Sequence, residues 1–109
     1  MAELRFSELS APRQVLIRQC QRMGFGRMVG LVVRDSEPVF GPGTKLLIDV
    51  KLDSAETYRP ELDLNDFVLS AATLRLFDRL DLIGNGRVDL IDVRHGVPVR
   101  MQIKTIVQE

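Results

Sequence analysis

The amino-acid sequence predicts an α+β fold, in which an internally duplicated α-β-β unit forms a four-stranded antiparallel sheet with two helices on one face. Three observations predict it. Two stretches of the chain are similar to each other, an amphipathic helical pattern precedes each, and alternating apolar and polar residues follow each. The length of 109 residues fits one domain, 1–109. Within it we expect repeat 1 at about 10–52, a connector at about 53–66 and repeat 2 at about 67–109.

The internal similarity is clearest between residues 24–39 and 84–99. Aligned without a gap, seven of the sixteen positions are identical, and two more exchange one apolar residue for another. Average residue usage would give about one identity by chance. Further upstream, Ala11 matches Ala71. This likeness indicates a duplication with an offset of sixty residues.

A helix is predicted to open each repeat. In the first, Ser10 is a candidate N-cap, because a serine hydroxyl can accept a hydrogen bond from a free helical N–H. Its apolar stripe is Leu16, Cys20 and Met23. In the second, Asn65 and Ser70 are alternative N-caps. Its apolar face is Leu69, Leu76, Phe77, Leu80 and Ile83. Gly24 and Gly84 follow these stripes, where a left-handed residue ends a helix and glycine is favoured because it lacks Cβ.

A hairpin is predicted to follow each helix. We expect first strands at Arg27–Arg34 and Arg87–Arg94, with two-residue turns at Asp35-Ser36 and His95-Gly96. The first return strand alternates as Leu46, Ile48, Val50 and Leu52. The second alternates as Val97, Val99, Met101, Ile103 and Val107. Gly41-Pro42-Gly43 should break or bend the first return strand.

The first strand of the second hairpin does not alternate regularly. Val88 and Leu90 would point to one side of a regular strand, and Ile91 to the other. Either a β-bulge lies near Leu90, or both faces of the sheet are covered. A bulge would also place Arg87 and Arg94 on one face, since their odd spacing otherwise separates them.

Residues 86–96 read Gly-Arg-Val-Asp-Leu-Ile-Asp-Val-Arg-His-Gly after the helix. This segment resembles the small uncharacterised bacterial proteins of the YezD type. In those, a short helix leads to a glycine, three isoleucine or valine residues at alternate positions, and a second glycine. The spacing is disturbed here at Leu90-Ile91, and the first copy has Ser36 in place of the turn glycine. The resemblance implies a helix followed by a hairpin, and no activity.

Composition limits the classes of protein to consider. One cysteine, Cys20, excludes an internal disulfide, and the first residues lack the apolar core of a signal peptide. We therefore expect a cytoplasmic protein without a membrane span. The net charge is zero, but residues 1–34 carry six arginines against two acids, and 35–66 carry three bases against eight acids. This distribution gives no broad attraction to nucleic acid or anionic lipid, only a local basic stretch.

Catalytic and metal-binding patterns are missing from the sequence, so we expect no enzyme activity, no cofactor and no metal. His95 lies at a predicted turn without a nearby nucleophile, and Cys20 lies on an apolar stripe. The glycine pairs at 24–26 and 84–86 close a helix instead of opening one, unlike a phosphate-binding loop. The connector acids lack calcium-loop spacing. They are Asp49, Asp53, Glu56, Glu61, Asp63 and Asp66.

Arginines are the candidate binding residues. Four recur at equivalent places in the two copies: Arg27, Arg34, Arg87 and Arg94. Three more are expected on the polar side of the first helix: Arg13, Arg18 and Arg22. Guanidinium groups bind phosphate and carboxylate in a bidentate manner, so both sets could contact an anion or a partner. The alternative is internal ion pairing, for example with Asp35, Asp89 or Asp92, or a solvated helix face.

The sequence is consistent with two functions. The first is a non-catalytic protein-binding or self-assembling module of unknown role, since open sheet edges invite pairing and homodimerisation. Pro38 and Pro98 would protect only one end of each edge. The second is a nucleic-acid-binding protein that uses the basic helix and the repeated arginines.

Overall fold

The computed structural model describes residues 4–53 and 64–104. A short 3-10 helix at Phe6–Glu8 precedes two α-helices and five strands. In chain order these are α1 Ala11–Met23, β1 Gly26–Arg34, β2 Glu37–Val39, β3 Lys45–Ile48, α2 Ala71–Ile83, β4 Gly86–Arg94 and β5 Val97–Gln102. The bounds of α2 and β4 lie sixty residues after those of α1 and β1.

The strands form one antiparallel sheet in the order β2-β1-β4-β5, and β3 pairs with β1 on the same side as β2. The predicted α+β class is therefore confirmed, with five strands where four were expected. The difference arises at Gly41–Gly43, which breaks the first return strand as predicted. The Thr44 hydroxyl accepts a hydrogen bond from the Gly41 N–H and donates one to the Gly30 carbonyl, and these bonds hold the break against β1.

The two central strands pair symmetrically. Gly26 of β1 lies opposite Val93 of β4, and Val33 of β1 lies opposite Gly86 of β4. Because these two pairs exchange equivalent positions of the repeats, a local two-fold axis relates β1 to β4. The axis places the two halves of the chain side by side in one sheet.

Both central strands change the direction of their side chains midway. Met28 and Leu31 of β1 are both buried, as are Val88 and Ile91 of β4, although residues three apart point to opposite sides of a regular strand. Gly30 supplies part of this change with a left-handed φ of 72°. The register of β4 against β5 shifts between Asp92 and Val93, where Val99 is the extra residue, so this bulge lies on β5 and not near Leu90 of β4.

The core lies between the sheet and the two helices. It includes the predicted helical stripes and the inward residues of both central strands. Its fully buried larger side chains are Leu16, Met28, Leu31, Val33, Leu80, Val88, Ile91 and Val93. Leu46 and Met101, from the two outer edges of the sheet, pack against this core. Burial of these side chains supplies the main driving force for folding, at roughly 25 cal/mol per Å² of apolar surface.

The helix ends follow the sequence. Of the two alternative caps for α2, Ser70 is the N-cap, and its hydroxyl accepts a 3.1 Å hydrogen bond from the Thr73 N–H. Ser10 occupies the N-cap position of α1, but its side chain makes no capping hydrogen bond. Gly24 and Gly84 end the helices with the predicted positive φ, at 73° and 68°. Their ψ values of −64° and −71° form γ-turns, closed by bonds from Phe25 to Met23 and from Asn85 to Ile83, instead of the expected left-handed helical conformation.

The segment before α1 packs against the segment before α2. The Phe6 N–H donates to the Phe67 carbonyl, the Leu69 N–H donates to the Leu4 carbonyl, and the two phenylalanine rings stack with centroids 4.9 Å apart. No pattern in the sequence predicts this contact. It extends the core beyond the α-β-β units.

Candidate functional site

The four repeated arginines all lie on the sheet surface opposite the helices. Arg27 and Arg34 neighbour the inward residues Met28 and Val33, and Arg87 and Arg94 stand in the same relation to Val88 and Val93. All four arginines are exposed. We call this surface the outer face. Its described charged and apolar residues include Arg27, Val29, Val32, Arg34, Val39, Lys45, Leu47, Arg87, Asp89, Leu90, Asp92, Arg94, Val97 and Arg100.

At the end of the outer face that contains Arg27, one carboxylate forms ion pairs with two arginines. Asp92 lies directly opposite Arg27 on β1 and Arg100 on β5. Its Oδ1 is 3.4 Å from the Arg27 Nε, and its Oδ2 accepts a 2.6 Å hydrogen bond from the Arg100 Nε. The Asp92 side chain is only 12% exposed, whereas both guanidiniums are mostly exposed. One negative charge against two positive charges leaves this end of the face basic.

The opposite end of the outer face is less strongly paired. The Arg87 Nε lies 3.7 Å from the Asp89 Oδ1, and both side chains are well exposed. Water screens such a pair strongly, so it stabilises the fold by at most about 1 kcal/mol. Arg34 forms no ion pair with any residue in 4–53 or 64–104, because Glu37, its neighbour across the hairpin, lies against Arg13 on the helix side. Arg94 is likewise without an ion pair in those ranges.

Arg13 from the predicted basic helix face contacts other parts of the fold. Its Nη2 donates to the Asp81 carboxylate at 2.7 Å and to the Ser36 carbonyl at 3.0 Å, and its guanidinium lies 4.8 Å from the centre of the Phe77 ring. Its Nε is 3.0 Å from the Glu37 carboxylate, in an orientation that does not complete a hydrogen bond. With a side chain 16% exposed, Arg13 joins α1 to α2 and to the first hairpin.

The other two helix arginines differ from each other. The Arg18 guanidinium lies over the Phe6 ring at 4.4 Å, donates to Gln21 Oε1 and also donates to the Leu64 carbonyl. Arg22 in the last turn of α1 is exposed. The three arginines therefore do not form one open basic surface.

The edge of the sheet at β5 carries a feature that the sequence analysis missed. No described strand pairs with the outer side of β5. Along it, an open groove is lined by Arg79, Leu82, Ile83, Met101 and Ile103, which we call the edge groove. Leu82 is 77% exposed. Its apolar character outside the buried face of α2 was the sequence signal that could have revealed this surface.

The edge at β3 also exposes apolar side chains. The alternating pattern of the first return strand continues to Leu52, but β3 ends at Ile48, where it faces the first residue of β1. Beyond that point no strand of the described residues lies beside Val50 and Leu52, which are 64% and 94% exposed. The predicted strand is thus shorter than its hydrophobic pattern.

Two reactive residue types lie where the sequence suggested. Cys20 is fully buried, and burial raises the pKa of its thiol to about 12, which disfavours the nucleophilic thiolate. His95 occupies the second hairpin turn, with its ring 4.7 Å from the Phe25 ring in an edge-to-face contact. Within residues 4–53 and 64–104, no group of three or more histidine, cysteine or acidic side chains could hold a metal ion. Of the connector acids, Glu56, Glu61 and Asp63 lie outside these ranges.

Comparisons with known proteins return no relative. No family model matches the chain, and neither a curated protein nor a solved structure matches it. Of the described helices, neither is long and apolar enough to cross a membrane. A proposal about its function therefore rests on the geometry of the fold.

Proposed function

We propose that this protein is a non-catalytic self-assembling module, in which two copies join their β5 strands edge to edge. The observation that carries the proposal is the unpaired β5 edge beside the edge groove, where Leu82, Met101 and Ile103 offer apolar surface. An unpaired strand presents free N–H and C=O groups to a second strand. Apolar side chains beside that edge add burial to backbone pairing.

The two edges of the sheet differ in a way that favours β5. On the first edge, Gly41 stands at the position equivalent to Met101, and Arg22 at the position equivalent to Leu82. That edge is also divided into strands of three and four residues, which limits pairing with another chain. β5 is continuous over six residues, so the second half alone keeps a long edge with an apolar border.

Hydrogen-bond geometry indicates which β5 residues would meet a second copy. His95 and Gly96 both have a left-handed φ, as in a two-residue turn closed by a hydrogen-bonded Arg94–Val97 pair. Bonded and non-bonded pairs alternate in an antiparallel ladder. The pair of Met101 with Ile91 is then non-bonded, and the backbone groups of Met101 point to the free edge.

Charge selects one register for this pairing. With Met101 opposite Met101 of the second copy, Arg100 faces Gln102 of the second copy and Val99 faces Ile103 of the second copy. A shift of two residues in one direction sets Arg100 against Lys104 of the second copy. A shift in the other direction sets Arg100 against its own equivalent. Like charges directly opposite destabilise a strand pair, so the Met101-centred register is preferred.

A cysteine placed on the two-fold axis tests the proposal. In a hydrogen-bonded antiparallel pair the Cα atoms are about 5.5 Å apart, which is within disulfide range. Met101→Cys should therefore give a disulfide-linked dimer under mild oxidation. Leu47→Cys, a more exposed site on β3, is the control and should remain monomeric on a denaturing gel. The buried Cys20 does not compete.

Light scattering of the unmodified protein gives the independent readout. We expect a dimer that dissociates when Met101 is replaced by glutamate, because a charge would then enter the apolar side of the joined edge. A monomer at the highest attainable concentration, or equal crosslinking of Met101→Cys and Leu47→Cys, would contradict edge pairing.

A further inference from the structure

The outer face carries most of its charge with one sign. Among its described residues are six bases, Arg27, Arg34, Lys45, Arg87, Arg94 and Arg100. Its acids are Asp89 and Asp92, so the face has a net charge of +4, although the whole chain is neutral. No described element covers this face, because both helices pack against the opposite side. Positive charge is thus concentrated on the open side of the sheet.

The basic residues form two clusters at opposite ends of the central strand pair. Asp92 faces Arg27, and Arg94 lies two residues further along β4, so Arg27 and Arg94 are diagonal neighbours about 7–8 Å apart. At the other end, Val32 lies opposite Arg87, and Arg34 lies two residues further along β1, so Arg34 and Arg87 are also diagonal neighbours. Seven residues of strand separate the clusters, or about 23 Å. The local two-fold axis relates one cluster to the other.

Apart from Asp89, the residues between the clusters are aliphatic. Val29 and Leu90 face each other at the centre of the strand pair, and Val32 lies next to them. None of the outer-face residues named above is aromatic. Single-stranded nucleic acid is usually held by bases stacked on aromatic rings, which this surface does not offer. Two guanidinium clusters on an open sheet surface suit an anion whose charges lie in two parallel rows.

We propose that the outer face binds the phosphate backbones of duplex DNA, with one arginine cluster on each side of a groove and without reading the sequence of bases. The major groove is about 12 Å wide, which is less than the spacing of about 23 Å between the clusters. Arginine side chains are long enough to lean inward and reach the phosphates on both sides of the groove. Arg34 and Arg94, one from each cluster, have no ion pair among the described residues and are free to contact phosphate. This binding does not require edge pairing, which would leave the outer faces of both copies open on the same side.

Salt dependence is the measurement that tests the proposal. Fluorescence anisotropy with a labelled duplex of about 20 base pairs, titrated between about 50 and 200 mM salt, reports the number of phosphates neutralised. For four phosphate contacts we expect the affinity to fall about 150-fold over this range. The double variant Arg34→Gln/Arg94→Gln should bind more weakly, with a fall of only about 12-fold.

A control with the same loss of charge distinguishes the face from general electrostatics. Arg22→Gln/Arg75→Gln removes two exposed arginines from the helix side and should leave the salt dependence unchanged. Equal weakening by both double variants would overturn the assignment to the outer face. Absence of binding at the lowest salt would overturn it as well. Tighter binding of a single strand of the same length would overturn the choice of duplex DNA. Circular dichroism of each variant confirms that the fold is intact.

Discussion

The amide of Ser36, in the first hairpin turn, donates a 2.7 Å hydrogen bond to the carbonyl of Gly84, which ends the second helix. The equivalent bond runs from Gly96 in the second turn to Gly24 at the end of the first helix, at 2.9 Å. Each turn is therefore held by the helix end of the other half. These reciprocal bonds satisfy carbonyl groups that a helix leaves free at its C-terminus, and they connect the two halves outside the sheet.

The two turns differ in backbone strain, and this difference predicts a stabilising substitution. Ser36 has a left-handed φ of 64°, where its equivalent is Gly96. A non-glycine residue in that conformation costs about 1–2 kcal/mol. Ser36→Gly keeps the N–H that bonds to Gly84 and should raise the free energy of unfolding by about 0.5–1 kcal/mol, since glycine's extra freedom in the unfolded chain offsets part of the gain.

The reciprocal change provides the control for that prediction. Gly96→Ser should lower stability by a similar amount, because it introduces the same strain into the second turn. Urea unfolding followed by circular dichroism measures both, which suits a chain without tryptophan. A loss of stability in Ser36→Gly would show that the serine side chain matters more than the backbone strain.

Equivalent glycines at the start of the central strands predict unequal tolerance to alanine. A Cβ on Gly26 would lie 2.1 Å from the Leu47 carbonyl oxygen on β3, a backbone atom that cannot move aside. A Cβ on Gly86 would lie 3.1 Å from a methyl group of Ile83, which can shift slightly. Gly26→Ala should cost about 2–4 kcal/mol and Gly86→Ala less than about 1 kcal/mol. Equal losses in urea unfolding would contradict the close approach of β3.

Local patterns predicted the elements well because their causes are local. Helical spacing, the glycines that end the helices and the two-residue turns each depend on a few neighbouring residues, and all three predictions are confirmed. The break at Gly41–Gly43 was predictable for the same reason. The odd spacing of apolar residues in β4 predicted, as one of two alternatives, a bulge near Leu90. The register shift instead lies beside Asp92, and its extra residue, Val99, belongs to β5, because the position of a bulge depends on both paired strands.

Contacts between distant segments could not be predicted from the same patterns. The pairing of Phe6 with Phe67 joins residues sixty-one apart through one backbone bond and a ring contact, too few to produce a periodic signal. The surroundings of Arg13 are set by Glu37 and Asp81, from two other elements. The sequence predicted Arg13 on the polar face of the helix. Helical spacing cannot distinguish an arginine exposed to solvent from one that pairs with other parts of the fold.

The half-buried position of Arg13 among charged partners predicts a large effect on stability. Arg13→Gln removes the charge that faces Glu37 and Asp81 and the contact with the Phe77 ring, so it should lower the free energy of unfolding by about 2–3 kcal/mol. Arg22→Gln, on the exposed side of the same helix, should change it by less than about 0.5 kcal/mol. Similar small effects from both would contradict a structural role for Arg13.

The ion pair at the N-terminal segment predicts a dependence on acid pH. The Arg5 Nε donates a 2.8 Å hydrogen bond to Asp66 Oδ2, and the Ser7 N–H donates one to Oδ1. These bonds, with that of Arg5 the larger cause, lower the pKa of Asp66 to about 2 from an ordinary value of 3.8. A carboxyl whose pKa is lower in the folded state stabilises that state above its ordinary pKa. This contribution is lost as the pH falls from about 4 to about 2.

Replacing the donor tests the cause of that shift. In Arg5→Gln the pKa of Asp66 should rise toward its ordinary value, because the remaining bonds from Ser7 and Phe67 favour the charged form less than they do together with Arg5. Titration of the Asp66 carboxyl by NMR measures the shift directly. Arg22→Gln removes the same charge from a distant surface and should leave the pKa of Asp66 near 2. An unchanged pKa in Arg5→Gln would show that backbone bonds, such as that from the Ser7 N–H, lower the pKa of Asp66. The contact between Asp66 and the N-terminal segment would then depend on those bonds instead of on the arginine.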